Sequence, residues 1–275
     1  MEGQEDSRVR KMLGRTVWEF SELDEIYRRV ILDRNLVQDE IVRIEEGDDE
    51  DFFNPKIADS IILRQEHFVG SDRAGKQLAK EARDVYYGGN TFYIRLYWLC
   101  EFMTDYLADM TTPISVAPLV RCIIVEVDLH DRGHMYWDWD PEEEDGSVDE
   151  DPLDRLARWT VRRLGDLLLF DHDHAELIEI RLSGKGEPDG SDTATHRTIK
   201  DIAVFVHGLI DRFGEAAQVT KVITERQSYA RSLRHYWKRP SDQAREHVRS
   251  GNATFEETIQ VEIDELREEA QGKAL

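Results

Sequence analysis

Cysteine is scarce in this chain, with only Cys100 and Cys122 among 275 residues. Both lie inside apolar runs, where a small buried thiol is expected rather than a disulfide or a thiolate metal site. No apolar run approaches the roughly 20 residues of a membrane span, and the charged opening MEGQEDSRVRK lacks the apolar stretch of a secretory signal. The expectation is an intracellular protein, cytoplasmic or nuclear, that does not enter a membrane. Positive charge is also short, since 36 Lys+Arg face 58 Asp+Glu for a net charge of -22, which disfavours DNA binding by the surface as a whole. The 40% hydrophobic content and six tryptophans are enough for a real core, of one generous domain or two small ones.

Common enzyme signatures are missing too. There is no Walker loop, no GxGxxG after a strand, no GxSxG elbow, no HExxH and no CxxC. The nearest thing to a metal-binding pattern is Asp171-His172-Asp173-His174, which His130, Asp131 and His134 would have to join to build a zinc or iron site. Adjacent residues seldom converge on one ion, and DHDH stands where a helix gives way to a strand. Polar turn chemistry is therefore the expected reading, with no metal and no cofactor. His207, within the apolar VFVHG, reads as a half-buried, hydrogen-bonded histidine rather than a catalytic base.

The acidic excess is concentrated in two places. Residues 45–51 hold six carboxylates and residues 138–154 hold ten, with no base in either, so they supply 16 of the 22 excess negative charges. Such runs resist burial and read as solvated loops. Trp137 and Trp139, in MYWDWD at the edge of the second run, resemble a docking motif in which rings anchor and carboxylates steer a basic partner. Conversely, residues 221–249 carry eight Lys/Arg against three acids, interleaved with Tyr229, Tyr236 and Trp237. That pattern suits a single-strand nucleic-acid surface, but helical spacing makes those aromatics more simply a core face.

Periodicity gives the elements. Leu23, Ile26, Tyr27, Val30 and Ile31 recur at helical spacing after Ser21, which reads as an N-cap. Leu78, Ala82, Val85 and Tyr86 mark another helix, which Gly88-Gly89 should stop through positive φ. Strands are expected at Thr91 to Tyr97, Cys122 to Leu129, Leu177 to Leu182 and Val219 to Thr224, with helices between them and a helical remainder from about Tyr229. The segments 91–129 and 177–224 share one element order, as two β-α-β units would. A small open sheet or a leucine-rich-repeat-like stack fits four strands better than a barrel.

Two of these segments carry a family likeness. SELDEIYRRVI, Ser21 to Ile31, is similar to the N-terminal helix of a large group of uncharacterised filamentous-fungal proteins in which PEL-x-x-x-IY-x-x-VL resembles a degenerate F-box. QLAKEARDVYYGGNTFYI, Gln77 to Ile94, resembles the second hallmark of that group through Glu81-Ala82, Tyr86-Tyr87 and Asn90-Thr91-Phe92. The likeness covers roughly residues 20 to 130. The Leu-Pro that usually leads the first helix is Glu19-Phe20 here. The resemblance implies that Leu23, Ile26, Tyr27 and Val30 belong to an F-box-like contact for the Skp-type adaptor of cullin ubiquitin ligases.

The sequence thus leads to an α/β protein with a flexible start (1–20) and a helical F-box-like segment (21–90). An α/β core (91–224) follows, with an acidic loop at 138–152 and a linker at 183–195, and a helical C-terminal cap (225–275) completes the chain. Its expected function is a non-enzymatic protein-interaction scaffold, as a ubiquitin-ligase substrate receptor in the form the resemblance implies. Partner-binding candidates are Leu23, Ile26, Tyr27, Val30, Trp137 and Trp139. The alternatives are a metal-dependent hydrolase using His130, His134, His172 and His174, or nucleic-acid binding through 221–249.

Overall fold

A computed structural model describes residues 7–44, 61–104, 115–129, 152–223 and 229–273. The chain is α/β, as expected. Its strands are β1 (Val42–Ile44), β2 (Thr91–Arg95), β3 (Cys122–Asp128), β4 (Leu177–Gly184), β5 (Ala217–Ile223) and β6 (Tyr229–Ser232). They pair in chain order, β1-β2-β3-β4-β5-β6, with β1 parallel to β2, β4 parallel to β5, and β6 antiparallel to β5. The structure adds β1 and β6 to the four expected strands. Neither has a readable apolar alternation, because β1 has three residues and every residue of β6 is exposed.

Two compact units divide the chain, the first formed by Met1–Ile94, Trp98–Ile124 and Leu169–Glu176. It begins with helices α1 (Ser7–Leu13), α2 (Val17–Ser21) and α3 (Glu25–Leu36), followed after β1 by α4 (Glu66–Val69) and α5 (Arg73–Gly89), then α6 (Leu99–Met103) after β2. The start expected to be flexible is therefore helical from Ser7, because Val9, Leu13, Val17 and Phe20 bury their side chains. Thr16 caps α2 in a reciprocal capping box with Glu19. Asp24, not Ser21, caps α3, accepting from the Ile26 amide at 2.9 Å. Ser21 instead ends α2.

Helix α5 is the hub of this unit, packing against α2, α3 and α4. Its buried stripe of Ala74, Gly75, Leu78, Ala79, Ala82, Val85 and Tyr86 is rich in small residues that let neighbouring backbones come close. At its end, Tyr86, Tyr87, Phe92 and Phe102 form a cluster of edge-on and tilted rings. The buried Arg64 guanidinium lies 4.0 Å over the Tyr86 ring and donates to the Tyr87 hydroxyl at 2.6 Å.

The stop of α5 differs from the glycine mechanism expected. Positive φ occurs at neither Gly88 nor Gly89, and Asn90 is extended at φ -106°. The buried Asn90 amide instead donates to the Tyr86 carbonyl at 2.7 Å and the Leu36 carbonyl at 3.0 Å, and its oxygen accepts from the Gln38 amide at 2.8 Å. One side chain thus closes the ends of both α3 and α5. Gly89 is required for closeness, since any Cβ there would overlap the Val37 side chain.

The second unit comprises Arg95–Tyr97, Val125–Leu168 and Leu177–Leu275. Its helices are α7 (Pro152–Leu164), α8 (Thr193–Asp201), α9 (Ala203–Phe213), α10 (Asp242–Ser250) and α11 (Phe255–Lys273). Helices α8 and α9 form the crossover between the parallel strands β4 and β5. Strand β4 is buried on both faces, whereas β5 alternates buried and half-buried residues, as a strand next to the thin β6 edge should. The expected linker shortens to the turn between Gly184 and Thr193, where Asp192 caps α8. The C-terminal segment is helical apart from β6, which replaces the helix expected from Tyr229.

Replacing Asn90 with Ala strands the two carbonyls and the Gln38 amide. The expected cost is about 2 to 3 kcal/mol, read as a lower denaturant midpoint with an unchanged slope.

Candidate functional site

Helix α3 has two apolar aspects. Leu32 and Leu36 are buried and lie on the same side as Arg28, one and two turns on. The expected apolar face of Ile26, Tyr27 and Val30 lies on the opposite side. These residues are 73%, 68% and 59% exposed, and Trp18 on α2 is 65% exposed, so they form no part of the core. Leu23, in the turn before α3, is half-buried. Four of the eight exposed large apolar side chains among the described residues fall between Trp18 and Val30. Scattered surface apolars need no special cause, and this stretch stands out by how closely its exposed apolars follow one another in the chain.

The orientation of α3 is set by an ion pair. Arg28 donates from Nε to Glu81 Oε2 at 2.8 Å and from Nη2 to Oε1 at 2.8 Å, and also reaches the Leu23 carbonyl. Gln77 holds the same carboxylate at 2.9 Å. The hydrogen bonds it donates to Glu81 push the Arg28 guanidinium above its ordinary range, against the opposing effect of burial. This pair joins the two segments that carry the family likeness, Arg28 coming from SELDEIYRRVI and Glu81 from QLAKEARDVYYGGNTFYI. Exposed acids stand at and just before the start of α3, at Glu19, Glu22, Asp24 and Glu25.

Other sequence candidates have different fates. Trp137, Trp139, His130 and His134 lie outside the described residues. In Asp171-His172-Asp173-His174, ligand atoms of the first three residues lie within 4.8 Å of one another. Asp171 organises this turn, accepting from the Asp173 amide at 3.0 Å and meeting His174 Nδ1 at 2.7 Å, contacts that hold its carboxyl below the ordinary range. Both histidines are mostly exposed. Those three could offer one ligand atom each to an ion, on an exposed turn whose own hydrogen bonds already use Asp171.

The basic stretch 221–249 does not present a row of rings for stacking. Tyr236 and Trp237 are buried, the hydroxyl of one donating to the Asp189 carbonyl at 2.5 Å and the indole of the other to the Ala203 carbonyl at 3.0 Å. Tyr229 remains exposed on β6. Arg234 pairs with Glu215 and Arg245 with Asp264, so these two cations face the fold's own carboxylates.

Sequence reasoning missed Lys221, whose side chain is fully buried in β5. Its Nζ donates to the Lys185 carbonyl at 3.0 Å and to Thr195 Oγ1 at 2.8 Å, with Asp192 Oδ2 at 4.0 Å. Burial pushes the amine below its usual range, and Asp192 opposes that shift. The period-two series Ala217, Val219, Lys221 and Ile223 carries the signal, since all four occupy the inward face. The lysine ties the loop after β4 to the start of α8.

Because the outward face of α3 supports no core, Ile26→Asp with Val30→Asp should shift unfolding by about 0.5 kcal/mol or less per site. Leu32→Ala on the buried face should cost about 2 to 5 kcal/mol. Chemical denaturation of the three proteins checks the contrast. No family model, no curated protein and no solved structure matches this chain.

Proposed function

We propose that this chain is a protein-interaction scaffold that docks a partner through the outward face of α3, with Ile26, Tyr27 and Val30 as anchors and with Trp18 of α2 and Leu23 of the intervening turn as further contacts. The observation that carries the reading is the exposure of these side chains on a helix whose opposite face is fully used. Solvent exposure of large apolar groups is unfavourable unless a partner covers them, and central aromatic and aliphatic anchors supply most of the energy of such contacts. Through the F-box resemblance, the partner is the Skp-type adaptor of cullin ubiquitin ligases, and the chain is a substrate receptor. The missing catalytic motifs and the turn role of Asp171 favour binding over catalysis.

Titration of the purified chain with purified Skp-type adaptor, followed by calorimetry, tests this reading. Wild type should bind, and the Ile26→Asp, Val30→Asp protein should lose about 2 kcal/mol or more, roughly thirtyfold in affinity. Equal affinity of the two proteins, or no binding by wild type at micromolar concentrations, would remove the receptor reading.

A further inference from the structure

The C-terminal helix α11 is strongly acidic, yet it packs closely on α9, α10 and the turn Arg234–Trp237. Ile259, Val261 and Ile263 are buried in the docked state, as is Asp264. Polar pairs line the contact. Arg245 holds Asp264 and stands 3.7 Å from Glu268, Arg267 meets Asp211 at 3.3 Å, His247 meets Glu257 at 2.9 Å, and His196 and Lys200 meet Glu262 at 3.2 and 3.5 Å.

His207 differs from these histidines. It sits on α9, 6% exposed, and its buried Nε2 has no hydrogen-bond partner. The charged groups facing it are Asp211 on its own helix and Arg267 and Asp264 on α11. Each of the two carboxylates is already engaged by an arginine, Asp211 by Arg267 and Asp264 by Arg245. In the docked state a proton on Nε2 would be buried with no acceptor within hydrogen-bond distance, and Arg267 would repel it. We propose that α11 is an acid-released latch, undocked when His207 takes up a proton that its place between α9 and α11 cannot accommodate.

Burial, then Arg267, hold the imidazole below its ordinary range despite Asp211 and Asp264. The released helix leaves His207 free to bind a proton that the docked state disfavours. Docking is thus complete above the ordinary histidine value of about 6.5 and weakens as pH falls below it. Burial also lowers His235, whose buried Nε2 has no hydrogen-bond partner and stands 3.9 Å from Glu256 of α11; Glu256 and a backbone hydrogen bond with Ser232 oppose the shift, and Arg231 and Lys238 reinforce it. The pairs of His196 and His247 lie at the partly exposed rim, where ion pairs add little.

Hydrogen exchange of the full chain, corrected for intrinsic rates, is the test between pH 7.5 and pH 5.5. Protection of α11 should fall while β4 and β5 keep theirs, and His207→Gln should largely flatten that dependence. Should the variant fail to fold, the wild-type His207 ring resonance supplies the readout, with a midpoint below that of exposed histidines and in step with the loss at α11. Constant protection of α11 down to pH 5.5, an identical fall in His207→Gln, or simultaneous loss in β4 and β5 would each overturn the latch.

Discussion

The packing of α3 on α5 is the constraint on which the first unit depends. Two polar devices set it, the two-pronged Arg28 to Glu81 pair at one end and the Asn90 amide at the other. Between them Leu32 and Leu36 fill the buried side of α3. Apolar burial alone would allow α3 to roll, because this helix has a second apolar face available. The guanidinium fork and the three hydrogen bonds of Asn90 are directional, and they select the face that turns inward. Exposure of Ile26, Tyr27 and Val30 is the direct consequence.

That arrangement explains what could be read from the sequence and what could not. The α3 periodicity was legible, but its burial was not, because Leu23, Ile26, Tyr27, Val30 and Ile31 obey the same spacing whether the stripe faces a core or a partner. The deciding residue was Arg28, whose partner lies 53 positions away. Likewise Asn90 was recognisable as a turn-forming residue, while its bond to the Leu36 carbonyl needed the tertiary fold. Strands β3, β4 and β5 announced themselves through apolar runs or alternation. The four exposed residues of β6 take their form from pairing with β5, and no local propensity marks them.

The second unit shows a different use of buried polarity. Lys221 fixes the loop after β4 from below through Thr195 and the Lys185 carbonyl, while Asp192 caps α8 at the same place. The basic content of 221–249 suits a nucleic-acid surface as well as a core face, because composition does not reveal direction. Its buried lysine, its buried rings and the paired Arg234 and Arg245 instead hold this unit together. A net charge of -22 therefore coexists with a basic segment whose cations are partly turned to internal use.

The proposed docking role of α3 depends on its second apolar face standing in solvent in the free chain. Hydroxyl-radical footprinting of the free chain, repeated with the Skp-type adaptor, measures this most directly. The account predicts strong modification of Trp18 and Tyr27 in the free chain, weak modification of the buried Tyr86 and Tyr236, and protection of Trp18 and Tyr27 by the adaptor. Protection of Trp18 and Tyr27 in the free chain, at the level of Tyr86, would contradict it.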